Sequence, residues 1–254
     1  MSGNRYTAKY FRENLPEWKR KKDSLLVRYL FRPVSFHSSS IAANLGIGAN
    51  AVSYFSMIVA IIGSLMFVFS NVWTNIVGAV LILFWMLLDC TDGNLSRCVR
   101  KEPFGEFADA ASSYVLVFFL FSSLGIAAYR SNGLLLLSGE WFILALGIFG
   151  GGSDSLARLL YQKFENTRIK NSNESISVNS DKNEQGKLVK IHDRIDKEIG
   201  LNGLFLPALL VCSIFWWFDI FVAFYSMYFI ASLLATIFIL VHKARKVAVL
   251  ESNK

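Results

Sequence analysis

Long apolar runs separated by short polar stretches dominate the chain. Six of them read as helices crossing a membrane: Asn50–Phe69, Ile76–Leu88 running on toward Ser96, Ala110–Tyr129, Trp141–Tyr161, Gly203–Phe218 and Ile220–Val241. A span needs about 20 mainly apolar residues to cross roughly 30 Å of hydrocarbon. The second and fifth runs are short; each is counted because it continues into a plausible helix, a broken or tilted span being the other reading. Ahead of the first run, Leu25–Leu45 sets Leu25, Leu26, Leu30 and Phe31 against Arg28 and Arg32. That alternation predicts a helix lying in the interface, with leucines toward lipid and arginines toward headgroups. Pro33 is expected to break or kink it. The pattern therefore predicts an all-α membrane protein of six transmembrane helices with an N-terminal cytoplasmic interfacial helix. Its parts are an N-terminal segment 1–48, a six-helix domain 49–248 containing a loop at 164–200, and a tail 249–254. Within that loop, Asn171–Asn183 lacks apolar periodicity and is expected to be flexible. Lys187–Ile199 suits a short surface helix ended by Gly200.

Composition sharpens the class. The chain is 54% hydrophobic, 15% aromatic and only 18% charged, a balance that excludes an ordinary soluble domain. The first 22 residues lack the apolar core of a signal peptide. Cys90, Cys98 and Cys212 are scattered, with neither disulfide nor zinc spacing, and read as packing residues. The net charge of +7 raises the question of nucleic acid, which its distribution answers. Of 26 Lys and Arg, 25 fall on one side of the predicted spans, and only Arg130 lies on the other. Under the positive-inside rule both termini are cytoplasmic in a multi-pass inner membrane protein. Trp73, Trp141, Trp216 and Trp217 fall near the opposite ends, as an aromatic belt would. Membrane lipids are thus the expected partner of the basic surface, and no nucleic acid is implied.

The second run ends in a polar cluster. Asp89 and Asp92, three residues apart, share a helix face. Asp109 opens the third run, with Ser113 one turn on. Two antiparallel helices joined by a short loop would bring the three carboxylates together just inside the membrane. Carboxylates there are costly unless paired, hydrated or bound to a cation. Oxygen ligands without His or Cys suit Mg²⁺ or Mn²⁺ rather than zinc. Gly93 and Gly105 would let a ligand approach the backbone, and Arg97 offers a fork for phosphate oxygens.

The stretch Asp89–Ser113 resembles the signature of the CDP-alcohol phosphotransferase superfamily, D-x2-D-G-x2-A-R-x8-G-x3-D-x3-D. Asp89, Asp92, Gly93, Arg97, Gly105 and Asp109 match in order. Ala49-Asn50-Ala51-Val52-Ser53 is similar to the Pro-Asn-x-Val-Thr found where that family's first span begins. The resemblance implies divalent-metal-dependent attack by an alcohol on the β-phosphorus of a CDP-linked donor, releasing CMP, in lipid or polysaccharide-precursor synthesis. It implies Asp89, Asp92 and Asp109 as metal ligands, and Gly93, Ser96, Arg97, Gly105 and Asn50 around the nucleotide. A lipid or alcohol acceptor and a homodimer are implied as well.

Three positions depart from the signature. The Arg97–Gly105 gap is one residue short, Ser96 replaces Ala, and Ser113 stands where the family has a fourth aspartate, credited with deprotonating the acceptor. Serine is no useful base at neutral pH. Three readings follow: a substitute base (Glu106, His37 or Asp154); an anionic acceptor that needs no base; or a catalytically impaired homologue that binds nucleotide or CDP-lipid, or scaffolds a membrane complex. Asp154 has another reading, an intrahelical pair with Arg158. An ion-coupled transporter is a rival from another class, although the aspartates sit at one face and no inverted repeat is visible. A UbiA-type prenyltransferase would need a second aspartate-rich motif. His192, His242 and the cluster Lys187, Lys190, Arg194 and Lys197 read as surface residues, and Asp219 as a turn residue.

Overall fold

A computed structural model describes residues 5–174, 198, 200–201 and 203–252. The proposed surface helix after Lys187, with His192 and the basic cluster, lies outside them. The chain is an all-α multi-pass membrane protein with an N-terminal helical region and, among the described residues, five helices long and apolar enough to span a bilayer.

Two short helices, α1 (Ala8–Asn14) and α2 (Glu17–Lys22), come first. Thr7 caps α1, its hydroxyl accepting the Tyr10 N–H. A π-helical turn, Val27–Phe31, then runs directly into α3 (Arg32–Asn44). Pro33 sits in the first turn of α3, directly after the π-helical turn, so the expected break becomes a change of helical pitch. Leu25 and Leu30 face outward as predicted. Phe31 and Arg32 do not: Phe31 joins the core, and Arg32 is buried at 5% exposure. A buried guanidinium needs partners, and Arg32 has them. Its Nε and Nη2 donate to the Asp23 carboxylate at 2.8 and 2.9 Å, and its Nη1 donates to Asn94 Oδ1 at 2.9 Å. Alternation along one segment cannot reveal a carboxylate nine residues upstream.

The membrane-spanning set is α4 (Ala49–Met66, extended by a 3₁₀ turn Phe67–Phe69), α5 (Val72–Cys98), α6 (Gly105–Arg130), α7 (Trp141–Glu174) and α9 (Phe218–Ser252). The fifth predicted run forms α8 (Phe205–Phe215), only 11 residues long. At 1.5 Å per residue this is roughly half a bilayer core, so among the described residues five helices are long and apolar enough to span. α4 packs against both α5 and α6, and α7 packs against α6 and α9. α5 and α6 touch little along their lengths. The α6–α7 crossing is close because Gly147 has no side chain: a Cβ there would lie 2.6 Å from the Phe121 carbonyl oxygen. Asp219, expected as a turn residue, is 1% exposed, and its carboxylate accepts the backbone N–H groups of Leu134, Leu135 and Leu136 at 2.6–3.2 Å. It fastens the connection between α6 and α7 to the start of α9.

Candidate metal centre

The charged end of α5 remains helical to Cys98, well past its last apolar run. That continuation places Asp89 and Asp92 on one face near the end of the helix. A six-residue connection then leads to Gly105, where α6 begins and carries Asp109 in its second turn. Each of the three aspartates offers an oxygen within 4.8 Å of the others. Asp92 is buried, Asp89 half-buried and Asp109 exposed, so the group grades from core to surface. Three like charges this close repel by on the order of a few kcal/mol per pair at an intermediate effective dielectric. A divalent cation would remove that cost. The donor set is hard carboxylate oxygen, and the residues fit Mg²⁺ or Mn²⁺ better than a nitrogen- or sulfur-seeking metal.

Several groups hold the cluster in place. Ser53 Oγ on α4 donates to Asp92 Oδ2 at 2.5 Å. One turn on, Ser56 Oγ lies 2.7 Å from Ser112 Oγ, which also accepts the Trp85 Nε1–H at 2.9 Å. This pins α4, α5 and α6 together beneath the aspartates. Tyr10 of α1 donates from its hydroxyl to the Cys98 carbonyl at 2.8 Å, satisfying an orphan acceptor at the end of α5. The positive charges of Lys19, Arg32 and Arg97 act on Asp89, and those of Lys19, Arg97 and Arg158 act on Asp109.

The remaining predicted residues fall as follows. Gly93 leaves room for Arg97, whose guanidinium lies where a Cβ of residue 93 would be. Ser96 is half-exposed on the same helix. Asn50 Nδ2 donates to the Pro103 carbonyl at 2.8 Å, and its backbone N–H donates to Glu102 at 2.8 Å. Its buried Oδ1 has no partner among the described residues and lies 3.3 Å from where a Cβ of Gly105 would be. Ser113, half-buried, donates to the Ala110 carbonyl at 3.1 Å within its own helix. Glu106 is exposed and pairs with Lys101 at 2.9 Å. His37 is exposed on α3. Asp154 pairs with Arg158 at 2.8 Å, the intrahelical pair anticipated from their spacing. Sequence reasoning did not single out Ser53 as a partner of Asp92, although Ser53 belongs to the segment noted for its similarity. Nor did it find Glu102, Trp85 or Lys19; these depend on contacts between distant segments.

Residues 47–169, just under half of the chain, match the CDP-alcohol phosphatidyltransferase family. The matched region contains the whole carboxylate cluster together with Ser53 and Asn50. A comparison with curated proteins returned no match.

Proposed function

We propose that this protein is a CDP-alcohol phosphotransferase of the inner membrane. It would transfer a phospho-alcohol or phosphatidyl-type group from a CDP-linked donor to an acceptor at the cytoplasmic face, releasing CMP. The observation that carries the reading is the three-aspartate cluster, gathered from two helices within a region that matches this family. The uneven distribution of Lys and Arg supports cytoplasmic termini, and α8, packed mainly against α5, serves as a shortened sixth span. The family resemblance carries over a homodimer as well, which crosslinking of the purified protein in bilayers tests.

Asp89, Asp92 and Asp109 would hold Mg²⁺ or Mn²⁺, which supplies charge neutralisation for the diphosphate and the departing CMP. Ser53 holds the orientation of the Asp92 carboxylate. Arg97, held over Gly93 beside Asp89 and Asp109, is placed to receive phosphate oxygens at the mouth of the cluster. Gly93, Ser96, Gly105 and Asn50 border the nucleotide in this reading.

The acceptor's proton is the open step. Ser113 directs its hydroxyl to a carbonyl of its own helix and accepts no proton at neutral pH. Glu106, the nearest acidic residue in sequence outside the three-aspartate cluster, is engaged with Lys101. These placements favour an acceptor that arrives already anionic, such as a phosphate, over a substitute base. They also leave room for a catalytically impaired homologue that binds the CDP-linked lipid without turning it over.

Purified protein incubated with CDP-diacylglycerol, a panel of hydroxyl and phosphate acceptors and Mg²⁺ or Mn²⁺ should release CMP, and Asp92→Ala should abolish release. If the Ser113→Asp variant gains activity with hydroxyl acceptors only, the wild-type chain lacks a base. Absence of both CMP release and divalent-cation binding in the wild type would reject the enzyme.

A further inference from the structure

A second charged site lies on the N-terminal helices, apart from the carboxylates. Arg12, Arg20, Lys21, Arg28 and Arg32 line a recess of about 290 Å³ together with a single carboxylate, Asp23. That volume is near the lower end of the roughly 300–1,000 Å³ common for small-molecule sites. Asp23 is committed to Arg32, in the bidentate pair described above, and to Lys19 at 3.1 Å. Lys21 lies 3.8 Å from Glu17, and among the described residues the other three cations, Arg12, Arg20 and Arg28, have no carboxylate in the lining. Like charges converge in this way at a cost unless an anion joins them.

Part of the arrangement has a local explanation. Arg20 donates through Nη2 to the Arg12 carbonyl near the end of α1, and Arg28 donates through Nη2 to the Arg20 and Lys21 carbonyls at 2.6 and 3.2 Å near the end of α2. Such contacts cap helix C-termini. They account for one nitrogen of each guanidinium and hold both side chains fixed. The Nε of Arg20 and of Arg28, each closed off from solvent, have no acceptor among the described residues. Arginines held in place from several directions, with donors left over, suit a group carrying three or four oxygens better than a two-oxygen carboxylate.

We infer that this recess binds a phosphate group, either a free phosphate ester or the phosphodiester of an anionic lipid. The site is independent of catalysis. Arg32 joins its back wall to Asn94, two residues beyond Asp92, so the anion site and the carboxylate cluster flank the same stretch of α5. An occupied recess would brace α1 and α2 against the end of α5.

The test uses the full chain in neutral detergent with EDTA present, so that no divalent cation can recruit phosphate to the aspartates. Equilibrium dialysis measures inorganic phosphate binding. Native mass spectrometry measures retention of phosphatidylglycerol against phosphatidylcholine from mixed micelles. Binding of phosphate points to a soluble ester, and selective retention of phosphatidylglycerol alone points to a lipid; either supports the site. The Arg20→Gln/Arg28→Gln double variant should weaken whichever is bound by about tenfold or more, as expected for loss of charge-assisted hydrogen bonds. Arg12→Gln, at the exposed rim, should weaken it about threefold and decides the matter if the double variant does not fold. Lys9→Gln, outside the recess and near Glu13 on the exposed face of α1, should leave binding unchanged, as should Asp92→Ala. The inference is overturned if the wild type binds neither probe selectively, if folded arginine variants bind as wild type, or if Asp92→Ala abolishes binding.

Discussion

Replacing Ser53 with alanine tests whether the aspartates act as a cation site held in place from α4. The substitution removes one hydroxyl, at 2.5 Å from Asp92 Oδ2, and leaves the backbone of α4 intact. Asp92 is 5% exposed, so water replaces the lost donor poorly. A hydrogen bond to a charged group contributes about 1.5–3 kcal/mol, equivalent to roughly 10- to 150-fold in an equilibrium constant. Loss of an outer partner of a metal ligand typically costs about 10- to 100-fold in metal affinity. The two estimates agree. We expect Mn²⁺ binding by titration calorimetry to weaken by about 10- to 100-fold, and the Mg²⁺ concentration giving half-maximal CMP release to rise in step. Activity at saturating cation should largely recover, and Ser53→Thr, which keeps the hydroxyl, should resemble the wild type. Ser56→Ala supplies the control. Ser56 lies on the same helix three residues on, but bonds to Ser112 and not to a carboxylate. If Ser53→Ala leaves cation affinity unchanged, or Ser56→Ala weakens it equally, the argument fails.

Two further outcomes follow from the fold. Asp219→Ala would strand three backbone N–H groups at the α6–α7 connection and should lower unfolding stability by about 3 kcal/mol, with Asp219→Asn losing less; unchanged denaturant midpoints for both would refute the role of the carboxylate. Phe104 precedes α6 at φ 59°, is 80% exposed and sits in a conformation costly for a non-glycine residue. Phe104→Gly should therefore raise stability by about 1 kcal/mol, and a fall in thermal midpoint would show that the exposed ring contributes more than its backbone costs.

Five of the six predicted runs became long helices, because burial in lipid selects for continuous apolar sequence and nothing else looks like it. Their ends were less legible. α5 runs on through Asp89 and Asp92 to Cys98 much as expected, but α7 continues to Glu174, well past Tyr161, since charged residues near a bilayer surface do not stop a helix. The fifth run failed as a full-length span because its apolar residues divide between α8 and the turn at Trp216, which adopts a left-handed backbone conformation. The aspartates were legible through spacing: three residues apart on one helix, with a third carboxylate after a short connection. What the sequence concealed were pairings over distance. The bond between Asp23 and Arg32, the Asp219 carboxylate reaching the α6–α7 connection, and Tyr10 reaching Cys98 leave no periodic trace.

The slight contact between α5 and α6 gives the aspartate end a mechanical character of its own. Both helices lean on α4, α5 is backed by α3 and α8 and α6 by α7, so the carboxylates lie at the mouth of a V whose arms meet mainly through α4 and the Trp85–Ser112 bond. Whatever settles between Asp92 and Asp109 therefore works as a keystone, setting the opening of the arch as well as being held by it.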